Sequence, residues 1–594
     1  MKLSNYVIKW LEELSIKQVF MLPGGGCMHL VDSLGLSGSI QCVPMLHEQS
    51  CAIAADAYAQ YKGSGHIGVV LVTTGPGATN VITGMAASWV DGVPVLFIGG
   101  QVKTSDMIGG KGIRQMGPQE VDMITLCKPI TKYAVTVKDP KTIRYHLEKA
   151  LWLATTGKPG PVFIEIPLDV QAAEISEVGL SSYKGIEYSN FIHTTDIKSI
   201  IKLIEKSERP VILVGNGARS ITMGVECYLG CHRIPVLTTW RAADLIEEDF
   251  PYYFGRPGTV GQRCANFIQQ KADLIISIGA RLDLLQVGFN PNNFAPNAKK
   301  IIVDIDKKEL SKYKFKIDYA LNIAAECFIN TFFHKKIHTT NKIQPWIDVC
   351  NKLKEKYPVP DVSAMPPTGL PDDLINTYNF INCLSKVLTM DDVIIPASSG
   401  SAAEITMQTF KVKQGQRIIN SPGLGSMGFG LPQAIGACLA SGRRVISIIG
   451  DGDLQHNIQE LAVIRRLNLP IKIFILNNNG YASIRNMQDA RFEGRRIACD
   501  CNNGVLLPAI SNVAKTYGIT YDLITKNQSI NEDRVSRVLS EEGPVMCELM
   551  VEPNLQTLPK VSSTVDSTGK MVSAPMEDLF PFLDRKEFNS VMEE

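Results

Sequence analysis

Seven short runs rich in Val, Ile and Leu each lead into a polar or glycine-bearing turn, and this repeat constrains the fold more than any other feature. They are HIGVVLVTTGPGATN (66–80), VPVLFIGGQV (93–102), RPVILVGNGARS (209–220), ADLIISIGARLD (272–283), KKIIVDID (299–306), RRVISIIGDGD (443–453) and LPIKIFILNNNGY (469–481). Strands that are apolar on both faces and separated by helix-like segments belong to parallel sheets covered on both sides. An α/β fold follows, with ligands expected at the carboxyl ends of the strands, where the turns fall.

A chain of 594 residues exceeds a single hydrophobic core and is expected to divide. Residues 176–194 are polar and aperiodic, and 356–374 hold five prolines, so both read as linkers. The predicted units are 1–175, 190–340 and 375–552, followed by a tail, 553–594, whose Phe580 and Phe582 predict a docked arm or lid. A net charge of +1 gives no general attraction to nucleic acid or anionic membranes. The N-terminal segment is neither signal peptide nor presequence, and no apolar run reaches membrane-spanning length, so the expected compartment is the cytoplasm. Fourteen cysteines, many in apolar stretches, read as reduced packing residues.

Three stretches carry candidate chemistry. In the first, RRVISII predicts a strand and Gly450-Asp451-Gly452 a turn at its end. Ile458, Leu461, Ala462 and Val463 then predict one face of a helix that stops before Pro470, and IKIFIL the next strand, ending in Asn477-Asn478-Asn479-Gly480. Adjacent parallel strands would bring a carboxylate, a side-chain amide and backbone carbonyls together, which is hard oxygen ligation suited to Mg2+, and a helix N-terminus beside them suits phosphate. Each turn alone is an ordinary turn former; together they are far more specific. The second stretch, LHEQSCAIAADAYAQ (46–60), opens a helix of small residues with Glu48, which either complements the helix dipole or hands a proton to a ring nitrogen. The third, TTGPGATN (73–80), is a strand and glycine turn and is weak by itself.

Taken together, HEQ (47–49), TTGPGATN, KPGPVFIEIPLDV (158–170), IGARLD, GLGSMGFGLPQAIGA (423–437) and GDGDLQHNIQELA resemble the thiamine diphosphate enzymes from end to end. The closest likeness is to the acetolactate (acetohydroxyacid) synthase group of 2-keto acid carboligases. The resemblance implies three parallel-sheet α/β domains of the thiamine diphosphate-enzyme type (pyrimidine-binding, central dinucleotide-binding type and diphosphate-binding) with a C-terminal arm. It also implies a homodimer or homotetramer with active sites shared between subunits. Glu48 matches the glutamate that promotes the imino form of the cofactor's pyrimidine, which takes the proton from the thiazolium and creates the electron sink for 2-keto acid chemistry. Gln119 matches a glutamine of the substrate channel. The cofactor is assigned to Glu48, Gly75 and Asn80 of the first domain, and to Gly400, Ser401, Gly425, Met427, Gly450, Gly452, Asp453 and Tyr481 of the third. Asp451, Asn478 and the Gly480 carbonyl match the Mg2+ ligands, and Met427 the residue that keeps the cofactor bent.

The implied reaction is decarboxylation of a 2-keto acid donor, most simply pyruvate, and transfer of the two-carbon unit to a carbonyl acceptor. None of the nine histidines neighbours another, so the paired proton donors of pyruvate decarboxylases are missing and ligation is favoured. Pro118, Leu168 and Met487 stand where the group carries a Phe, a Lys and a Trp, and Ser401-Ala402 replace a Gln-His pair. GIRQMGPQEVD, NNNGYASIRNMQ and MVSAPMEDLFPFLDR resemble relatives encoded with surface-polysaccharide genes, some of which use a nucleotide-linked keto sugar as acceptor. GNGARS, TTWRAAD (238–244) and IGARLD occupy the places of a non-redox FAD site, but Lys158 replaces its Arg and loses a planar fork of donors, leaving FAD open. The rivals are a true acetolactate synthase, a nucleotide-dependent oxidoreductase and a non-catalytic regulatory homologue. Retention of Glu48, Asp451 and Asn478 disfavours the last.

Overall fold

A computed structural model describes residues 1–186, 194–221, 225–333, 342–361, 374–565 and 567–593. Parts of both predicted linkers, 187–193 and 362–373, lie outside the described residues. Strands β1–β6 (Gln18–Met21, Gln41–Pro44, Gly68–Val72, Val95–Gln101, Tyr133–Thr136, Val162–Pro167) form the first sheet, in the order β2-β1-β3-β4-β6-β5. Strands β7–β11 (Pro210–Val214, Val236–Thr238, Leu274–Ile278, Lys299–Val303, Tyr319–Leu321) form the second, ordered β11-β10-β9-β7-β8. The third holds β12–β17 (Val393–Ile395, Arg417–Ile418, Val445–Gly450, Ile471–Asn477, Thr520–Ile524, Val545–Met550), ordered β13-β12-β14-β15-β17-β16.

Within these sheets the pairings are parallel, as the double-sided apolar runs require. The first and third sheets share one strand order, and all three repeat the same core, in which the order reverses between a unit's first and third strands. Such a reversal leaves a crevice beyond the carboxyl ends of the two strands, because their connections leave in opposite directions. The three reversals fall at β1/β3, β7/β9 and β12/β14, which end in Gly24-Gly25-Gly26 and Thr73–Gly75, in Gly215–Gly217 and Gly279, and in Ser398–Gly400 and Gly450–Gly452.

The Glu48–Lys62 helix joins the first unit to the third. Its alanines Ala52, Ala54, Ala55 and Ala57 are fully buried, and it crosses the Gly430–Ser441 helix at backbone distance. A Cβ on Gly436 would stand 2.0 Å from the Ala54 carbonyl oxygen, so a side chain there forces the helices apart.

The C-terminal segment is a strap over the middle and third units. The Arg263–Lys271 helix is buried along its whole length although it reads RCANFIQQK, and the strap answers four of its polar side chains. Arg263 donates to the Leu579 and Pro581 carbonyls, Asn266 to that of Met576, Gln270 to Glu577, and Lys271 to the Val591 carbonyl. Between anchors at Leu558–Val561 and Met576 lies an antiparallel hairpin, β18 (Ser563–Val565) and β19 (Met571–Ser573), which exposes Val565, Met571 and Val572. Among the described residues no helix is long and apolar enough to cross a membrane.

Gly436→Ala is expected to lower stability by about 1–3 kcal/mol through overpacking, read as an earlier denaturant midpoint, whereas Gly35→Ala, at a helix end with open space around it and no left-handed backbone, disturbs no packing.

Candidate active site

Strands β14 and β15 pair in register, Gly450 opposite Leu476, so the acidic turn and the asparagine turn emerge side by side. Asp451 is buried and accepts the amides of Gly452 (3.0 Å) and Gly480 (2.9 Å) on its two carboxylate oxygens. Burial pushes its pKa up to about 6, against the pull of those amides. Asn478 is 6% exposed, and its Oδ1 is buried without a hydrogen-bond partner. An unpartnered buried amide oxygen is costly, so it marks a place for a cation or donor. Gly480 has φ +128°, and a Cβ there would meet the Cys499 carbonyl at 2.3 Å. Tyr481, whose amide donates to that same carbonyl at 2.8 Å, lays its ring where a side chain on Gly452 would be.

The predicted single helix after the acidic turn is corrected. Its pieces are Asp451–Leu454, a 3-10 segment Gln455–Glu460 and Leu461–Arg466, broken where Asn457 adopts φ −141°, ψ 35°. The break aims the Asn457 side chain at the Met427 turn and at the first unit: its Nδ2 donates to the Gly428 carbonyl (2.7 Å) and its Oδ1 accepts from Ser50 (2.9 Å). Beside it, buried Asp453 accepts the Gly428 amide at 2.7 Å, and burial raises its pKa to about 6. Gly428 is thus held from both sides, which sets the preceding Met427, 37% exposed, and the left-handed Gly425 (φ +63°).

Glu48 lies in the first turn of its helix behind the cap His47, is 7% exposed, and accepts from Asn80 Nδ2 at 2.9 Å. Its helix neighbours, rather than Glu48 itself, reach the third unit: Ser50 binds Asn457, and the nearby Leu46 amide donates to buried Glu460. The carbonyl of Gln119, a left-handed residue (φ +63°), sits where a side chain on Gly75 would be. Gly400 (φ +72°) and Ser401 open the Gly400–Thr409 helix at the end of the β12 connection. The predicted residues therefore gather into two groups, Asp451–Asp453 with Asn478–Tyr481 and the Met427 turn, and Glu48 with Asn80, Gly75 and Gln119; Asn457 bridges between them.

Where the three units meet, a cavity of about 660 Å³ is lined by Gly217, Arg219, Trp240, Arg241, Gly279, Arg281, Asp304 and Lys158, and also by Gly400 and Gly425. Its arginines are paired, Arg219 with Asp244, Arg241 with Asp91 and Arg281 with Asp283. Burial raises Asp304 to about 6. Lys158 is held by Glu309 at 2.6 Å.

Three participants escaped the sequence reading: Asn457, Arg485 and Glu165. Glu165 on β6 is buried, accepts from Gln101 (2.9 Å) and Thr136 (2.7 Å), and through Gln101 holds Thr74, next to Gly75. An acid inside an apolar strand, IEIP, was the available signal.

Two units of one topology, each with glycine turns at its switch point and one with an acidic turn against an unpartnered amide, define an α/β enzyme built around a diphosphate-bearing cofactor. Family models agree: thiamine pyrophosphate enzyme, N-terminal TPP binding domain, matches residues 1–126, the central domain 197–330 and the C-terminal TPP binding domain 398–549. The acetolactate synthase large subunit of Lactococcus lactis is 31% identical over 95% of this chain and 95% of its own length. The probable acetolactate synthase large subunit of Methanocaldococcus jannaschii is 34% identical over 94% and 93%, and isozyme 1 of Escherichia coli 30% over 94% and 95%. The chain belongs to the thiamine diphosphate enzyme family, within its acetolactate synthase-like group.

Burial raises Glu165 from an ordinary 4.5 to about 7. Between those values the folded protein keeps a proton that the unfolded chain has lost, so its contribution to stability declines as pH rises through that window, by ~3 kcal/mol in all. In Glu165→Gln that part of the decline is expected to vanish, read by comparing unfolding midpoints of the two proteins from pH 4 to 8.

Proposed function

We propose that this thiamine diphosphate-dependent carboligase takes a 2-keto acid, most simply pyruvate, as donor and joins the two-carbon unit to a second carbonyl compound. The observation that carries the proposal is that one parallel register brings the Asp451 turn beside the turn of Asn478, whose side-chain oxygen is unpartnered, in a chain that also buries Glu48 at a helix start. Both oxygens are hard donors suited to Mg2+, and the Gly480 carbonyl would be the third ligand. Gly450, Gly452 and Asp453 supply the turn for the diphosphate, with Gly400, Ser401, Gly425 and Tyr481 around it. When bound, thiamine diphosphate supplies the electron sink that lets a 2-keto acid lose carbon dioxide. Glu48 holds or passes a proton at its carboxylate toward the cofactor's pyrimidine, and Asn80 keeps that carboxylate oriented. Met427 would lie against the bound cofactor, its turn fixed by Asp453 and Asn457. Gln119 lines the way in.

The acceptor is proposed to be bulkier than a second pyruvate, a keto sugar among the candidates. Pro118, Leu168 and the 43% exposed Met487 replace larger or charged residues of the acetolactate synthase pattern at the mouth, which supports the wider entrance. The exposed β18–β19 hairpin, touching Arg491 through Met571 (3.4 Å), is the part of the arm suited to close it against water. Active sites shared between the first unit of one subunit and the third of another imply at least a dimer. The central cavity supports a bound flavin dinucleotide without a redox role: its glycine turns and Asp304 lie at the strand ends where such ligands bind, and its volume is ample.

Incubation with thiamine diphosphate, Mg2+ and pyruvate, with and without larger carbonyl compounds, is expected to release carbon dioxide, and mass analysis to find the ligated product mainly with the larger acceptor. Acetolactate formed as fast without it overturns the acceptor assignment, and no carbon dioxide under any condition overturns the donor. Glu48→Gln is expected to slow carbon dioxide release by about 10²–10⁴-fold. Visible absorbance of the purified protein, and nucleotide freed on denaturation, test the flavin; a colourless, nucleotide-free protein rejects it.

A further inference from the structure

The guanidinium of Arg485 is buried, 2% exposed, directly behind the asparagine turn. It extends from the Ala482–Arg491 helix, and its Nη2 donates to the Asn478 carbonyl at 3.0 Å and to the Pro553 carbonyl at 2.6 Å. Its Nη1 lies 3.9 Å from the buried carboxylate of Asp500. Asp500 in turn fixes a tight turn, accepting from the Asn502 amide (3.0 Å) and the Asn503 side chain (2.6 Å), while Asn503 accepts from the Cys499 amide (2.6 Å). Cys499 closes the circuit, its carbonyl accepting from the Tyr481 amide against Gly480. One cation therefore joins the residue with the unpartnered amide oxygen, the turn that backs Gly480, and the first residue of the C-terminal strap.

We propose that Arg485 is a positioning residue for the metal site: it fixes the Asn478 backbone so that the side-chain oxygen faces the cation, and couples that placement to the docking of the strap. The inference rests on Asp451 and Asn478 being metal ligands. A guanidinium this deep is unfavourable unless it is answered, and here Nη2 donates to two carbonyls from separate segments and Nη1 faces a buried carboxylate, while Nε is left without a hydrogen-bond partner. A lysine could donate to these carbonyls from its one nitrogen but has no second nitrogen to face Asp500 at the same time.

The test titrates Mg2+ into metal-stripped protein in the presence of thiamine diphosphate and reads affinity by calorimetry, alongside the unfolding temperature of each metal-free protein. Loss of a group that orients a metal ligand is expected to weaken binding by about 10–100-fold, so Arg485→Met should fall in that range and Arg485→Lys between it and the parent. Asp451→Asn serves as the reference and should lose tight binding outright. Parent-like affinity in Arg485→Met, with Asp451→Asn impaired, overturns the role of Arg485. Parent-like affinity in Asp451→Asn overturns the clamp itself. Equal weakening in both arginine variants, with both metal-free proteins melting early, assigns Arg485 to folding alone and also overturns the proposal.

Discussion

Everything at this site depends on where a parallel sheet reverses its strand order. In each of the three sheets the connections from two neighbouring strands part in opposite directions, and the gap between them cannot be filled by a helix. Backbone amides and carbonyls at those strand ends are left without ladder partners, so small residues and polar turns collect there. The β12/β14 gap receives Asp451, the β7/β9 gap opens on the central cavity, and the β1/β3 gap lies under the Thr73–Gly75 turn. One topological device, used three times, sets out a crevice lined by glycine turns in each unit.

The units are then locked together by contacts that tolerate little change. The Glu48 helix meets the Gly430–Ser441 helix through alanine and glycine at backbone distance, where dispersion is gained over many atom pairs and no side chain intervenes. Arg256, fully buried, donates to the Met407 and Phe410 carbonyls at the end of the Gly400–Thr409 helix and so ties the middle unit to the third. The polar helix 263–271 survives burial because the strap answers the donors of Arg263, Asn266, Gln270 and Lys271. These bonds pair buried polar groups across units, which makes relative displacement of the units costly as well as their unfolding.

The seven apolar runs appear as strands, and the spacing of the acidic and asparagine turns appears as side-by-side placement, because both follow from local patterning and from the rule that adjacent parallel strands end together. The helix after Asp451 is where local reading failed. Ile458, Leu461, Ala462 and Val463 have a helical period, and nothing nearby in sequence opposes it. The break at Asn457 arises from Gly428 and Ser50, 29 and 407 residues away, whose bonds to the Asn457 side chain outweigh the intact turn. Glu165 and Arg485 were missed for a related reason: each is a single charged residue whose partners come from distant segments.

The sequence by itself determined the kind of chemistry: a carboxylate and an amide one strand apart, a glutamate opening an alanine-rich helix, and glycine turns at strand ends are chemical and steric requirements written in local order. Only the tertiary structure decided which groups are withdrawn from water and what faces them. That is why the Asn478 oxygen is left unpartnered while its carbonyl is held by Arg485, and why the middle unit opens into a cavity shared with Gly400 and Gly425. Burial and partnership depend on segments hundreds of residues apart being brought into contact, and no local pattern encodes that meeting.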